Sequence, residues 1–215
     1  IENDIYNQAI DKIKKDVNLE KDKGIVLASS NWHSGVIGIV ASRVVERYYR
    51  PAFLISIEEE ECHGSGRSIP EFDIAKSLNE CSDLFINFGG HKAAAGLTID
   101  KENIQKFREQ FNNIACSKLS DEDIIPKVLV DLETTESLLS LENVEELSLM
   151  EPLGQDNLPP LISLRNVSLK GEPRLIGSNN EHVKFNISGD KSILEAIGWN
   201  MNRTLIVMKN ALHSR

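Results

Sequence analysis

The chain has 215 residues, enough for one large domain or two small ones. Hydrophobic residues make up 40% of it, and no segment approaches the roughly 20 consecutive apolar residues of a membrane span, so we expect a soluble globular protein that does not cross a membrane. The formal net charge is −9, but residues 121–151 alone contain ten acids and one base. The total charge therefore does not exclude a nucleic acid as partner.

The cysteines and the first residues indicate the compartment. Cys62, Cys81 and Cys116 are odd in number and lack the spacing of a zinc site, so they predict reduced thiols in a cytoplasmic protein. The first fifteen residues are amphipathic and of mixed charge, unlike a secretory signal. The chain begins at Ile1 inside a helical pattern, and we expect it to be a fragment of a longer protein.

The first half of the sequence predicts alternating helices and strands. Apolar residues at helical spacing indicate helices, and short apolar runs indicate buried strands. In chain order we expect a helix over 2–22, a strand over 25–28, a helix over 36–48, a strand over 52–57, a polar glycine-broken segment over 63–68, a helix over 73–83, a strand over 95–99 and a helix over 101–118. The first strand–helix–strand unit predicts a parallel pair of strands.

The second half of the sequence has a different pattern of predicted elements. A linker over 121–126 precedes an expected strand over 127–132 and an acidic helix over 137–150. From residue 160 onward, five short segments predict a small β-barrel or sandwich. They are LISLRNVSL, PRLIGS, HVKFNISG, ILEAIGW and TLIVMK, with turn signals at Gly171, Asn179-Asn180, Gly189-Asp190 and Asn200.

Three polar segments have the chemistry of phosphate binding. His33, Ser34 and Gly35 join a buried strand to a helix, where free amides and the positive helix end meet. The second segment is Ser65, Gly66, Arg67 and Ser68, in which arginine can donate two parallel hydrogen bonds to a phosphate. The third is Gly89, Gly90 and His91, a turn that presents amides and one titratable ring. Taken singly, each segment is also compatible with a purely structural role, such as a helix cap or an ordinary loop.

No sequence pattern indicates a group that breaks bonds. The chain has no Walker loop, no GxGxxG and no defensible catalytic triad, and His91 has no metal-ligating residue at suitable spacing. Arg43 points either to solvent or towards a phosphate. In the C-terminal region Phe185 and Trp199 could stack on bases, although core packing is favoured for both. A basic face there could contain Arg165, Lys170, Arg174 and Lys184.

Three segments, in this order and at these intervals, carry a family resemblance: WHSGVIGIVASRVVERYYRPAFLIS, GSGRSI and FGGHKAAAGLTI. They resemble the DHH-associated domain of the DHH phosphoesterase superfamily, and most closely that of RecJ-type single-strand-specific exonucleases. EPLGQDNLPP resembles the start of that family's oligonucleotide-binding (OB) barrel. It differs at Leu153, where the family has an aromatic residue, and near Asp156, where it has a glycine. The resemblance extends from about residue 2 to about residue 200.

The resemblance implies a fold class and a domain division. The fold would be an α/β DHH-associated domain, a mixed sheet with flanking helices, followed by a β-barrel OB-type domain. The expected division is a linker helix from a separate N-terminal DHH domain over 1–23, the DHH-associated domain over 24–119, an acidic connector over 120–151 and the OB-like domain over 152–215.

The resemblance also implies a function and a site. The chain would be the C-terminal part of a 5′-to-3′ single-stranded-DNA exonuclease of DNA repair and recombination, inactive alone and weakly DNA-binding. Mn²⁺ or Mg²⁺ would be held by the separate DHH domain, with no metal ligand in this chain. His91 and Arg67 would be catalytic, and they would bind phosphates together with His33, Ser34, Gly35, Ser65, Gly66, Ser68, Gly89 and Gly90.

Two other functions stay open on the sequence. One is a DHH-type phosphodiesterase for short oligonucleotides or cyclic dinucleotides, and the other is a non-catalytic nucleic-acid-binding module. The expected partners are single-stranded DNA and, through the C-terminal region, repair proteins. The expected protein is a cytoplasmic monomer.

Overall fold

The chain forms two units, residues 1–127 and 128–215. Their structure, a computed structural model, describes residues 1–58, 61–154, 157–189 and 192–213. Parts of the expected acidic loop at 58–61, the OB start segment at 151–160 and the turn at Gly189-Asp190 lie outside the described residues. None of the helices in the described ranges is long and apolar enough to cross a membrane.

A five-stranded mixed sheet organises the first unit. Its strands are β1 (Ile25–Ser29), β2 (Ala52–Ile57), β3 (Cys62–Arg67), β4 (Phe85–Gly90) and β5 (Ala94–Ile99). The order across the sheet is β1-β2-β3-β5-β4. β1 and β2 are parallel, which confirms the predicted pair, and the other neighbours are antiparallel.

Helices cover both faces of this sheet. They are α1 (Glu2–Asp16), α2 (Ser34–Tyr48), α3 (Ile74–Asn79) and α4 (Ile104–Lys118), with 3₁₀ turns at Ser82–Leu84 and Lys101–Asn103. α2 brings Gly38 against Ser65 of β3, whereas Phe107 of α4 contacts Phe53 of β2. Since Phe53 faces the position of Gly66, and successive strand residues point to opposite faces, α2 and α4 lie on opposite sides.

The N-terminal helix is part of this core. α1 ends at Asp16, earlier than the sequence predicted, and buries Ile5, Ala9 and Ile13 in the same apolar cluster as the sheet. Two of the free cysteines, Cys62 and Cys81, are also buried. Burial raises the pKa of both thiols, that of Cys81 to about 12, so neither is a thiolate near neutral pH.

The polar segment over 63–68 is a strand, contrary to the sequence prediction. Its core-facing positions are glycines. A Cβ at Gly64 would lie 2.7 Å from Cδ1 of Leu97, and one at Gly66 would lie 2.4 Å from Cε1 of Phe53. Large side chains from neighbouring strands therefore fill the space under β3, and the strand has no apolar alternation of its own.

The second unit contains two small sheets. β6 (Leu132–Thr134) pairs in parallel with β7 (Ile162–Leu164), and an antiparallel sheet contains β8 (Ser168–Ile176), β9 (His182–Ser188) and β10 (Ile193–Gly198). Two helices, α5 (Leu141–Leu147) and α6 (Thr204–His213), and 3₁₀ turns at Glu136–Leu138 and Ser148–Met150 complete the described elements.

Three predictions for this unit were wrong in detail. The strand expected over 127–132 begins only at Leu132, and TLIVMK lies in α6 instead of a strand. Gly171, read as a turn, lies inside β8 with φ +68°. The pairing of β8 with β9 shifts between Lys170 and Arg174, so this glycine belongs to an irregularity within the strand.

Candidate nucleic-acid interface

One face of the first sheet, on the side of α2, continues across β3, β5 and β4 with its residues exposed or half-buried. We call it the open face. The strand register places its residues in three rows: Arg67, Ala94 and His91; Ser65, Gly96 and Gly89; and His63, Thr98 and Asn87. Because neighbouring strands are about 4.8 Å apart, each row spans roughly 10 Å.

Arg67 is held at the edge of α2. Its Nη1 donates to the Ser65 hydroxyl at 3.2 Å and to the Gly66 carbonyl at 2.8 Å. No carboxylate oxygen among the described residues lies within 4.0 Å of this half-buried guanidinium. A positioned arginine without an acidic partner is suited to binding an anion such as a phosphate.

The two serines beside Arg67, Ser65 and Ser68, make different hydrogen bonds. Ser65 accepts the hydrogen bond from Arg67, which leaves its own hydroxyl proton for another acceptor. Ser68 donates to the Phe72 carbonyl at 2.7 Å, so its hydroxyl stabilises the loop after β3. The backbone N–H of Ser68 donates to the Ala93 carbonyl at 2.9 Å, which ties this loop to the hairpin between β4 and β5.

The tip of that hairpin carries His91. Its N–H donates to the Ala94 carbonyl at 2.8 Å, which closes the turn, and the Lys92 carbonyl accepts from the Ile74 N–H at 3.1 Å. A Cβ at Gly90 would lie 2.4 Å from the Ala94 carbonyl oxygen, so this position requires glycine. The structure thus brings the predicted segments 65–68 and 89–91 together, with His91 exposed beside the row of Arg67.

The third predicted segment, His33 to Gly35, lies about one helical turn before Gly38 of α2, the residue that approaches Ser65 and Arg67. His33 caps α2, and its Nδ1 accepts from the Gly35 N–H at 3.0 Å. One amide at this helix end therefore already has a partner. His33, Ser34 and Gly35 are exposed. The helix extends from them to Gly38, about 4.5 Å further along its axis, which approaches Ser65 and Arg67.

The arginines of α2 and the following turn have structural roles. Arg43 donates to Glu2 at 2.7 Å and to Asn3 at 2.9 Å, and its guanidinium lies 3.9 Å from the ring centre of Tyr6. It therefore joins α2 to α1, and its side chain remains 33% exposed. Arg50 donates to three backbone carbonyls, those of Leu19, Asp22 and Tyr48.

Sequence reasoning missed the residues that complete the open face. They are His63, Asn87 and Thr98 on the strands, with Gly38 on α2 beside Ser65 and Arg67. Alternation with period two would have grouped His63 with Ser65 and Arg67, had the segment been recognised as a strand. Nothing in the sequence alone placed Asn87 opposite Thr98, because that pairing depends on the register of the hairpin.

The second unit offers a smaller candidate surface. Phe185 is half-buried and lines a depression of about 300 Å³ with Lys170, Arg174 and Lys184. Lys184 pairs with Glu195 at 2.6 Å, whereas Lys170 and Arg174 have no carboxylate partner in the described part of the chain. Trp199 is 66% exposed, so the prediction that it packs in the core was wrong. Arg165, also expected on this basic face, pairs with Glu133 at 2.5 Å.

The described residues do not form a metal site. No group of three or more histidine, cysteine, aspartate or glutamate side chains among them could hold an ion.

Comparison with known protein families identifies both units. Residues 21–116 match the family model of the DHHA1 domain, and residues 130–213 match that of the RecJ OB domain. The chain is a DHH-associated domain followed by an OB-type domain, which confirms the fold class predicted from the sequence.

The curated relatives and two of the matched structures carry the name RecJ. A "single-stranded-DNA-specific exonuclease RecJ" from Bacillus subtilis is 40% identical over 178 residues, covering 82% of this chain and 22% of the relative. The RecJ of Haemophilus influenzae is 31% identical over 189 residues, covering 85% of this chain and 32% of the relative. The crystal structure of Thermus thermophilus RecJ with Mg²⁺ covers 92% of this chain and 30% of its own, with a TM-score of 0.68 and 29% identity. The Mn²⁺ complex has a TM-score of 0.65.

This chain belongs to the RecJ family and corresponds to its DHHA1 and OB part. It spans 22 to 32% of the length of these curated relatives.

Proposed function

We propose that this chain is the substrate-holding part of a 5′-to-3′ single-stranded-DNA exonuclease that acts in DNA repair and recombination. The observation that carries the proposal is the open face, where an arginine without an acidic partner and a glycine–glycine–histidine hairpin lie side by side. The names of the matched relatives supply the kind of substrate and reaction.

The proposed site residues have different roles in binding the phosphate and stabilising the transition state. Arg67 and the Ser65 hydroxyl hold one phosphate, with the amides near Gly89 and Gly90 on its other side. During hydrolysis of a phosphodiester, negative charge develops on the phosphoryl oxygens, and Arg67 and His91 stabilise it. His33, Ser34 and Gly35 extend the anion-binding surface along the start of α2. Ser68 contributes by holding the hairpin against the loop after β3.

The divalent metal of the reaction is proposed to be held outside this chain. The described residues offer no metal cluster, while the Thermus RecJ structures contain Mg²⁺ or Mn²⁺. We therefore expect the 215-residue chain to bind single-stranded DNA and to leave it intact in the presence of Mn²⁺. Release of nucleotides from a labelled strand by the purified chain would contradict this assignment.

Replacing Arg67 tests the proposal directly. Arg67→Ala removes a charge-assisted contact worth about 1.5–3 kcal/mol, so the Kd for a fluorescent 20-nucleotide thymidine strand should rise roughly 10- to 100-fold. Fluorescence anisotropy measures it. Lys15→Ala, which removes one exposed positive charge at the end of α1, is the matched control and should leave the Kd unchanged. Equal Kd values for both variants would reject the proposed site.

The OB match supports this function over a DHH-type phosphodiesterase for short oligonucleotides or cyclic dinucleotides, because it extends the RecJ resemblance over residues 130–213. The proposal includes a monomer in the cytoplasm that meets repair proteins through its C-terminal region. Exposed apolar side chains there, such as Ile206 and Val207, support a protein partner. A mass of one chain by light scattering is the expected result, and a stable dimer would contradict it.

A further inference from the structure

We propose that the row of His63, Thr98 and Asn87 is a second binding position for the DNA backbone, next to the phosphate held by Arg67 and Ser65. This inference rests on the proposed function. It adds the path of the strand, which would cross the open face along the direction of the β-strands over Gly89 and Gly96.

The first support is the space above the two glycines. A Cβ at Gly89 would meet nothing within 4 Å, and one at Gly96 would meet only the Gly64 carbonyl, at 3.8 Å. Neither glycine has the left-handed φ that would require it. The packing and backbone of the protein therefore accept a side chain at both positions. The close approach of another molecule's backbone explains why both lack one.

The second support is the chemistry of the row beyond these glycines. His63 and Asn87 both stand opposite Thr98 in the register of the sheet, so an imidazole, a hydroxyl and a carboxamide lie on adjacent strands. None of these three side chains has a hydrogen-bond partner within the described ranges, and they line a depression of about 410 Å³ together with Gly89 and Gly96. They offer several unused donors to a single anionic group.

The third support is the spacing. Two residues along a strand advance about 6.6 Å, which separates the row of His63 from the row of Ser65. That length is close to the distance between consecutive phosphates in an extended single strand of DNA. A strand whose one phosphate binds at Arg67 and Ser65 would therefore place its next phosphate at His63, Thr98 and Asn87.

A side chain added at Gly96 tests the proposed path of the DNA strand over Gly89 and Gly96. Gly96→Val adds a β-branched side chain where a Cβ has room and where strand propensity favours it, so the melting temperature should be unchanged or higher. The same side chain blocks the DNA backbone, and we expect the Kd for the 20-nucleotide thymidine strand to rise at least tenfold. A Gly96→Val chain that is folded and binds as wild type would overturn the inference.

Removing the donors tests the second position. The combined variant His63→Ala, Asn87→Ala and Thr98→Val should raise the same Kd at least fivefold. Asn113→Ala, an exposed asparagine on α4, is the matched control and should bind as wild type. If Arg67→Ala weakens binding while neither Gly96→Val nor the combined variant does, the proposed function stands and this path is wrong. If all three leave binding intact, both are wrong.

The salt dependence separates the two positions. Asn87 and Thr98 are uncharged, so Asn87→Ala with Thr98→Val should weaken binding without changing the slope of log K against log salt. Arg67→Ala should make that slope shallower. A shallower slope for the Asn87→Ala, Thr98→Val variant would show that these residues act indirectly, through Arg67. That result would reject a second binding position.

Discussion

Four arginines of the first unit differ in what their guanidinium groups contact. Arg43 binds a carboxylate, an amide and a ring, Arg50 binds three carbonyls, and Arg108 binds the Val26 carbonyl and Gln105. Arg67 contacts a hydroxyl and one carbonyl, and its Nη2 lies beside Gly38 of α2. Residue type and charge cannot separate these roles, because Arg43, Arg50 and Arg108 each have a partner in an element distant in the sequence, whereas the partners of Arg67 lie on its own strand.

Gly38 controls the position of Arg67. A Cβ there would lie 3.0 Å from the Ser65 Oγ and 3.1 Å from Nη2 of Arg67, so the guanidinium has to move by a few tenths of an ångström. Gly38→Ala should therefore raise the Kd for single-stranded DNA about fivefold, equivalent to roughly 1 kcal/mol. Stability should not fall, because alanine favours a helix over glycine by up to about 1 kcal/mol.

Binding by anisotropy and unfolding by urea measure the two effects of Gly38→Ala. In the Arg67→Ala background the same substitution should cause no further loss of affinity, because the group it displaces is absent. Additive losses would show that Gly38 acts independently of Arg67.

Some helices and strands of the first unit could be predicted from the sequence, and others could not. α2 and α4 and strands β1 and β2 were predictable, because their own apolar residues mark the buried side. β3 was not, since glycines occupy its core-facing positions and the apolar atoms come from Leu97 and Phe53. Residue chemistry indicated the three candidate segments, whose role in binding stays a prediction, but the row of His63, Thr98 and Asn87 exists only once β3, β5 and β4 are in register.

The contact between α1 and α2 gives a prediction at the level of elements. Arg43→Ala removes an ion pair that is partly exposed and a cation–π contact, so the free energy of unfolding should fall by about 1–2 kcal/mol. The Kd for single-stranded DNA should stay within a factor of two, because Arg43 lies outside the open face. Arg203→Ala, an exposed arginine of the second unit, is the control for charge. A large loss of DNA binding with normal stability would instead assign Arg43 to the interface.

Across the whole molecule, net charge opposes binding to DNA. Residues 1–127 contain 21 acids and 16 bases, and residues 128–215 contain 12 acids and 8 bases. We therefore expect the proposed affinity for DNA to come from local cations without acidic partners. Among the described residues these include Arg67 and Lys92 in the first unit and Lys170 and Arg174 in the second, none with a carboxylate oxygen within 4.0 Å.

The slope of log K against log salt measures how many of these cations neutralise DNA phosphates. Each phosphate neutralised on a single strand contributes about −0.7 to the slope of log K against log salt, so four cations predict roughly −3 for the chain. Arg67→Ala should reduce the steepness by about 0.7, and Lys170→Ala with Arg174→Ala by about 1.4, if each unit holds its own part of the strand. Lys15→Ala should leave the slope unchanged. A slope near zero in the unmodified chain would mean that the acids of both units cancel these cations, and a loss only from Arg67→Ala would confine DNA binding to the first unit.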